Sequence, residues 1–102
     1  MERIDKLKAY LEKEPGDSFL RHALGLEYIK QGKEDEARTA FETVVANDPA
    51  YVGTYYQLAK LLEKMGDAVG AMKIYEQGIV AAKAAGDSHA RNELQMALDE
   101  LE

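Results

Sequence analysis

The sequence repeats itself after 34 residues. Moving the chain along itself by this distance superposes residues of similar size in two adjacent segments. The superposed pairs are Leu24 with Leu58, Gly25 with Ala59, Gly32 with Gly66, Ala37 with Ala71 and Phe41 with Tyr75. A fixed period of this length is typical of solenoid proteins, in which each repeat buries its apolar face against the next. The sequence therefore predicts two adjacent copies of one structural unit.

Apolar residues recur at spacings of three and four in six segments of the chain, which is the period of an α-helix. Turn-forming residues separate the segments, at Pro15-Gly16-Asp17, Gly32, Asn47-Asp48-Pro49, Gly66 and Gly86-Asp87-Ser88. No segment alternates apolar and polar residues in the way a half-buried strand does. We therefore predict an all-α fold of about six helices.

The motifs of the two copies identify a family resemblance. The first copy contains Leu24-Gly25-x2-Tyr28, Ala37-x3-Phe41 and Pro49, and the second contains Tyr55-x2-Leu58-Ala59, Ala71-x3-Tyr75 and Gly78. They resemble the tetratricopeptide repeat (TPR) family, whose pattern runs W-x2-L-G-x2-Y, then A-x3-F, then P. The sequence departs from this pattern at Arg21, Leu62 and Lys83, which take the tryptophan, tyrosine and closing proline places. The resemblance implies a right-handed α-solenoid of antiparallel helix pairs.

The resemblance also implies how the chain is divided. The parts of one TPR domain, residues 1–102, are an N-terminal half-repeat helix at 1–14, repeats at 18–51 and 52–85, and a C-terminal capping helix at 88–101. The last helix matches a TPR helix only in length, because Asn92 and Glu93 take its core places. We therefore expect its apolar residues to be turned differently, and the helix to shield the end of the stack.

The family implies where a ligand binds, because TPR proteins usually hold peptides on the concave face lined by the first helix of each repeat. Here that face falls on Phe19, His22, Leu26, Ile29 and Lys30 in the first repeat, and on Gly53, Tyr56, Lys60, Glu63 and Lys64 in the second. Several of these residues are apolar where a solvated face would be charged, which favours a hydrophobic groove. The alternative is that a terminal helix folds over this face and buries it as core.

Two functions from different classes follow from this interpretation. The first is a protein–protein interaction module or scaffold that binds a peptide or protein segment in the groove. The second is a self-assembling module, a homodimer formed through the C-terminal helix or the open end of the stack. Light scattering at several concentrations would separate the two functions.

Composition excludes several other classes of partner. A net charge of −6 and the lack of a basic stripe argue against nucleic acid. No segment is apolar enough to span a bilayer, and the charged N-terminal residues do not form a signal peptide, so we expect no membrane partner and a cytoplasmic location. The chain has no cysteine, which excludes disulfides and cysteine-ligated metals.

Catalytic and metal-binding patterns are also absent from the sequence, so we predict that the chain is not an enzyme and needs no cofactor or metal. Asp87-Ser88-His89 contains the residue types of a hydrolytic triad, but sequence neighbours cannot form the relay, and a helix N-cap is the simpler interpretation. Glu34-Asp35-Glu36 is expected in the first turn of the third helix, where the helix dipole favours negative charge. Met65, Met72 and Met96 are expected to fill gaps in the core.

Overall fold

The computed structural model describes residues 2–102, and in that range it contains six α-helices and no strand. The helices are α1 (Arg3–Lys13), α2 (Ser18–Lys30), α3 (Glu34–Asn47), α4 (Gly53–Lys64), α5 (Ala68–Ala85) and α6 (Ser88–Leu101). The all-α fold and the six predicted helices are confirmed. Glu34, Asp35 and Glu36 lie in the first turn of α3, as expected.

Aspartate side chains determine where three of the helices begin. The carboxylates of Asp17, Asp67 and Asp87 each accept a hydrogen bond from the backbone N–H three residues further along, at 3.0, 2.8 and 3.0 Å respectively. Such a cap satisfies one of the N–H groups that the first turn leaves without a helical partner, and is worth about 0.5–2 kcal/mol. The N-cap predicted before α6 is confirmed at Asp87.

Glycine ends two of the helices. Gly32 and Gly66 follow α2 and α4 with φ angles of +74° and +87°, in the left-handed region that residues with a Cβ rarely adopt. This conformation closes a helix and turns the chain towards the next one. The two glycines lie 34 residues apart, so both copies of the repeat use the same turn.

The chain divides into two compact units, of which the first ends at Asp48 and the second is Pro49–Glu102. In the first unit α2 packs against both α1 and α3, and in the second α5 packs against both α4 and α6. The connections between these packed helices are two to four residues long. Helices joined by such short turns must run antiparallel to their neighbours.

A missing side chain brings the helices of the first unit together. A Cβ placed on Gly25 of α2 would lie 2.4 Å from Cε1 of Phe41, on α3. Phe41 is fully buried, as is Ala37 one helical turn before it. Close approach of two helices requires a small residue at the contact, and Gly25 supplies it for the α2–α3 pair.

Gly78 has the corresponding role in the second unit. A Cβ on this α5 residue would lie 2.7 Å from Cβ of Tyr55 and 3.0 Å from Cδ1 of Leu94. Tyr55 belongs to α4 and Leu94 to α6, so α5 presents its small residue to both neighbouring helices. The hydroxyl of Tyr55 donates a hydrogen bond of 2.6 Å to the carbonyl oxygen of Pro49, which ties α4 to the start of the unit.

The helix α6 repeats the packing pattern of α4 with a changed offset. Leu94, Ala97 and Leu98 are buried and Leu101 is partly buried, and their spacing equals that of Tyr55, Leu58, Ala59 and Leu62. The offset between the two sets is 39 residues rather than 34. The preceding helix, α5, has 18 residues where its counterpart α3 has 14, and this extra turn delays the pattern. The expectation that the apolar residues of α6 are turned differently is confirmed.

Candidate functional site

The first unit presents one predicted surface, which we call the α2 face. It consists of Phe19, His22, Leu26, Ile29 and Lys30. None of the five is buried, and Phe19 is 67% exposed. The alternative that a terminal helix buries these residues as core is therefore wrong for this face. Leu26 and Ile29 are partly exposed, so apolar atoms of three side chains on one helix reach solvent.

His22 lies at the inner edge of the α2 face. Its ring centroid is 5.6 Å from that of Phe41, and the two rings are tilted by 46°. Partial burial lowers the pKa of His22 below its ordinary value of 6.5, because the charged imidazolium loses hydration there. At neutral pH the residue is therefore an uncharged aromatic extension of the apolar surface.

Lys30 supplies the charge at the C-terminal end of the α2 face. Its ammonium lies 3.5 Å from a carboxylate oxygen of Glu27, and the same oxygen is 3.3 Å from Nε of Arg3 on α1. Glu27 thus links α1 to α2 while partly compensating Lys30. Exposed ion pairs of this kind contribute little to stability, about 0–1 kcal/mol each.

In the second unit the structure brings together the three predicted residues Tyr56, Lys60 and Glu63, on successive turns of α4. The ammonium of Lys60 lies 5.5 Å from the ring centroid of Tyr56, a cation–π contact, and 3.6 Å from a carboxylate oxygen of Glu63. All three residues are partly exposed. The contacts fix the aromatic ring and the two charges relative to one another.

Glu63 has a second task inside the unit. It accepts a hydrogen bond from the hydroxyl of Tyr75, a fully buried residue of α5. Burial raises the pKa of Tyr75, and the hydrogen bond and negative charge of Glu63 raise it further, so the hydroxyl stays protonated and donates. The ring of Tyr56 meets that of Tyr75 edge-on, with 6.4 Å between centroids. Glu63 therefore holds the core together, and contact between Glu63 and a ligand stays a prediction.

A cleft between α4 and α6 extends this surface, and we call it the α4–α6 cleft. It has a volume of about 340 Å³ and is lined by Tyr56, Lys60, His89, Asn92, Glu93, Met96, Ala97 and Glu100. Only Tyr56 and Lys60 were predicted as site residues. The prediction that Met96 fills the core is wrong, because its side chain is 66% exposed. Its counterpart 34 residues earlier, Leu62, is buried, and the changed offset of α6 moves Met96 out of that place.

The charge of the cleft is uneven. Glu63 lies beside Lys60 and compensates it, whereas Glu93 and Glu100 are exposed and form no ion pair within residues 2–102. Two carboxylates therefore face solvent at the α6 wall without a cation. The only sequence signal for this wall was Asn92 and Glu93 at expected core places, which showed that the helix was turned but not what it would face.

Searches for metal and membrane features gave negative findings. Across residues 2–102, no three or more side chains of His, Asp or Glu lie close enough together to hold a metal ion. None of the helices described is both long and apolar enough to cross a bilayer.

Comparison with known proteins identifies relatives over most of the chain. The sequence model of the tetratricopeptide repeat matches residues 28–92. A TPR repeat-containing protein of Pseudomonas aeruginosa is 31% identical over 99 residues, which cover 97% of this chain and 94% of that protein. The solution structure of a tetratricopeptide repeat domain protein from Salinibacter ruber is 41% identical, with a TM-score of 0.83 over 86% of this chain and 89% of that one. A solution structure from Bordetella parapertussis is 31% identical, with a TM-score of 0.81 over 99% of this chain and 88% of that one.

Proposed function

Because the chain belongs to the tetratricopeptide repeat family, we propose that it is a protein–protein interaction module that binds a peptide or protein segment of another protein. The TPR fold generally mediates protein–protein interaction, and its members are typically scaffolds without catalytic activity. We assign binding to the α2 face and to Tyr56, Lys60 and Glu63 of α4. A cytoplasmic location belongs to the same proposal, and fractionation of the source cells tests it.

The exposure of Phe19 is the observation that carries this proposal. A phenylalanine that is 67% exposed leaves a large apolar area in water, and Leu26 and Ile29 add to that area on the same helix. Contiguous apolar surface of this kind marks interaction sites more often than it occurs by chance on a monomer. Aromatic side chains are also frequent anchors of protein interfaces, because they bury much area at little entropic cost.

Affinity capture from an extract of the source cells tests the proposal. The full chain, Phe19→Ala and the control Val80→Ala serve as immobilised baits, and partners are quantified by mass spectrometry. Val80 is as exposed as Phe19, at 68%, but lies on α5 outside the proposed surface. We expect Phe19→Ala to recover about fivefold less of the specific partner, the equivalent of losing roughly 1 kcal/mol, while the control recovers as much as the parent. Equal recovery by all three baits would refute the assignment to the α2 face.

A second candidate function is homodimerisation through α6, and the exposure of Met96 favours it. An exposed methionine beside apolar atoms of a partly open cleft is a plausible contact for a second copy. Light scattering across a wide range of protein concentrations separates the two functions. A mass that doubles with concentration and returns to the monomer value in Met96→Lys would favour the homodimer.

A further inference from the structure

We propose that the α4–α6 cleft binds a cationic segment of another protein, with one large apolar side chain between Tyr56 and Met96 and with lysine or arginine beside Glu93 and Glu100. This inference rests on the proposed function, because it specifies the chemistry of the ligand. It also makes α6 a wall of the binding site rather than only a cap.

The size and lining of the cleft suit one apolar anchor. A volume of about 340 Å³ lies at the lower end of the range for ligand pockets and accommodates a large side chain. One wall is rigid, because the ring of Tyr56 is held between Lys60 and the buried Tyr75. The other wall carries Met96, whose unbranched side chain adapts to the shape of its contact.

The offset of α6 explains why this wall is available. The residues 34 positions after Leu58, Ala59 and Leu62 are Asn92, Glu93 and Met96. The first three are buried in α4, whereas the second three are exposed and line the cleft. The delay of the packing pattern by five residues therefore frees one face of α6 from the core. That face combines an exposed methionine with hydrogen-bonding and acidic side chains, which is the composition of a binding surface.

Charge complementarity selects a cationic partner. Lys60 lies 3.6 Å from Glu63 and is compensated by it, while Glu93 and Glu100 have no cationic partner within the described residues. Glu100 also contributes, after burial and the effects of Glu63 and Tyr56, to the raised pKa of Tyr75, so its field reaches the floor of the cleft. The net charge of −6 adds long-range attraction for a cationic segment and repels an acidic one.

The test uses the full chain and three synthetic probes. The first is a short acetylated and amidated peptide with one phenylalanine between pairs of lysines, the second replaces the lysines with glutamates, and the third replaces the phenylalanine with alanine. Binding is followed by amide chemical shifts of the isotope-labelled chain, which give both affinity and location. We expect the lysine peptide to bind at least about tenfold more tightly than the glutamate peptide, because like charges in contact are strongly unfavourable. The perturbed amides should belong to α4 and α6.

Variants of the chain connect this binding to the named residues. Met96→Ala should weaken binding of the lysine peptide about fivefold, and should have little effect on the alanine peptide, which lacks the anchor. The double variant Glu93→Gln/Glu100→Gln should weaken binding about threefold or more, and should reduce its dependence on salt. The matched control is Glu12→Gln/Glu42→Gln, which makes the same change in net charge at exposed residues outside the cleft. We expect this control to bind like the parent.

The outcomes separate this inference from the proposed function. Equal binding of the lysine and glutamate peptides, shift changes confined to α2, or equal loss in the double variant and its control would overturn the cationic assignment. The capture experiment with Phe19→Ala involves no residue of the cleft, so it stands or fails independently. If light scattering instead shows a dimer that Met96→Ala dissociates, the cleft binds a second copy of the chain and the inference is refuted.

Discussion

The helices α2 and α4 occupy the same place in two copies of one repeat, yet they share a core and differ in the surface they present. The buried pair Leu24 and Gly25 corresponds to Leu58 and Ala59, which are also buried. On the proposed binding surface, Phe19, His22, Leu26 and Ile29 correspond to Gly53, Tyr56, Lys60 and Glu63. Packing between helices therefore dictates the residues of one side, and leaves the other side free to differ in chemistry.

The difference extends to what supports each surface. In the first unit the surface is apolar, and His22 contacts the buried ring of Phe41. In the second unit the equivalent positions form a polar network, in which Lys60 pairs with Glu63 and Glu63 accepts a hydrogen bond from Tyr75. An apolar surface gains affinity by burial, whereas a charged cleft gains orientation and partner selectivity. We expect the two surfaces to contribute differently to one ligand.

The largest effect should come from breaking the shared core. Gly25→Leu places a side chain where even a Cβ would lie 2.4 Å from Phe41, and should destabilise the chain by about 1–3 kcal/mol or more. The control is Gly53→Leu, at a glycine of α4 where a Cβ would meet no atom within 4 Å. Urea unfolding followed by circular dichroism measures both. If Gly25→Leu unfolded at the same urea concentration as the parent, the packing of α2 on α3 would be wrong.

The polar network of the second unit can be broken without touching the first. Glu63→Ala leaves the buried hydroxyl of Tyr75 without its acceptor, which should lower the free energy of unfolding by about 1–3 kcal/mol. In the background of Tyr75→Phe the same change should have a much smaller effect, because no hydroxyl remains to be satisfied. A double-mutant cycle measured by urea unfolding checks this. Equal effects of Glu63→Ala in both backgrounds would show that Glu63 does not support the core.

A smaller effect distinguishes His22 from its counterpart Tyr56. Burial lowers the pKa of His22, so the unfolded chain binds a proton more readily than the folded one. The contribution of His22 to stability is therefore complete above its ordinary pKa of 6.5, and is lost as the pH falls from there through the lowered pKa of the folded chain. Between pH 7 and about pH 5, His22→Gln should lose less stability than the parent, with both measured by urea unfolding. An equal loss in both proteins would mean that the burial of His22 is not felt by its ionisation.

The sequence was sufficient for the parts of this fold that depend on local pattern. Helical periodicity located six helices, Asp87 was identified as a cap, and Gly32 and Gly66 were placed at turns because only glycine is at ease with a positive φ. The prediction failed at Met96, because the extra turn of α5 shifts the packing of α6 and no pattern within α6 reveals what its freed face will meet.

Tertiary contacts were out of reach of the sequence for the same physical reason. The bond from Tyr75 to Glu63 joins residues 12 positions apart on different helices, and helical spacing alone does not say which carboxylate a buried hydroxyl will meet. Glu63 was accordingly expected only to face a ligand, whereas the structure gives it a partner in the core. The residues of α6 that line the cleft were missed because their alignment with α4 holds only at the altered offset.

The most direct test of the proposed binding surface pairs two measurements on the same variants. Phe19→Ala, Leu26→Ala and Tyr56→Ala are compared with the outer-surface control Glu42→Ala, for affinity to the captured partner and for melting temperature. We predict that each of the three weakens binding by about 1 kcal/mol or more, while Phe19→Ala and Leu26→Ala leave the melting temperature nearly unchanged. Tyr56→Ala should lose a little stability through its contact with Tyr75, and Glu42→Ala should change neither quantity. If the loss of binding instead followed the loss of stability in all three variants, the residues would act as core, and the proposed surface would be wrong.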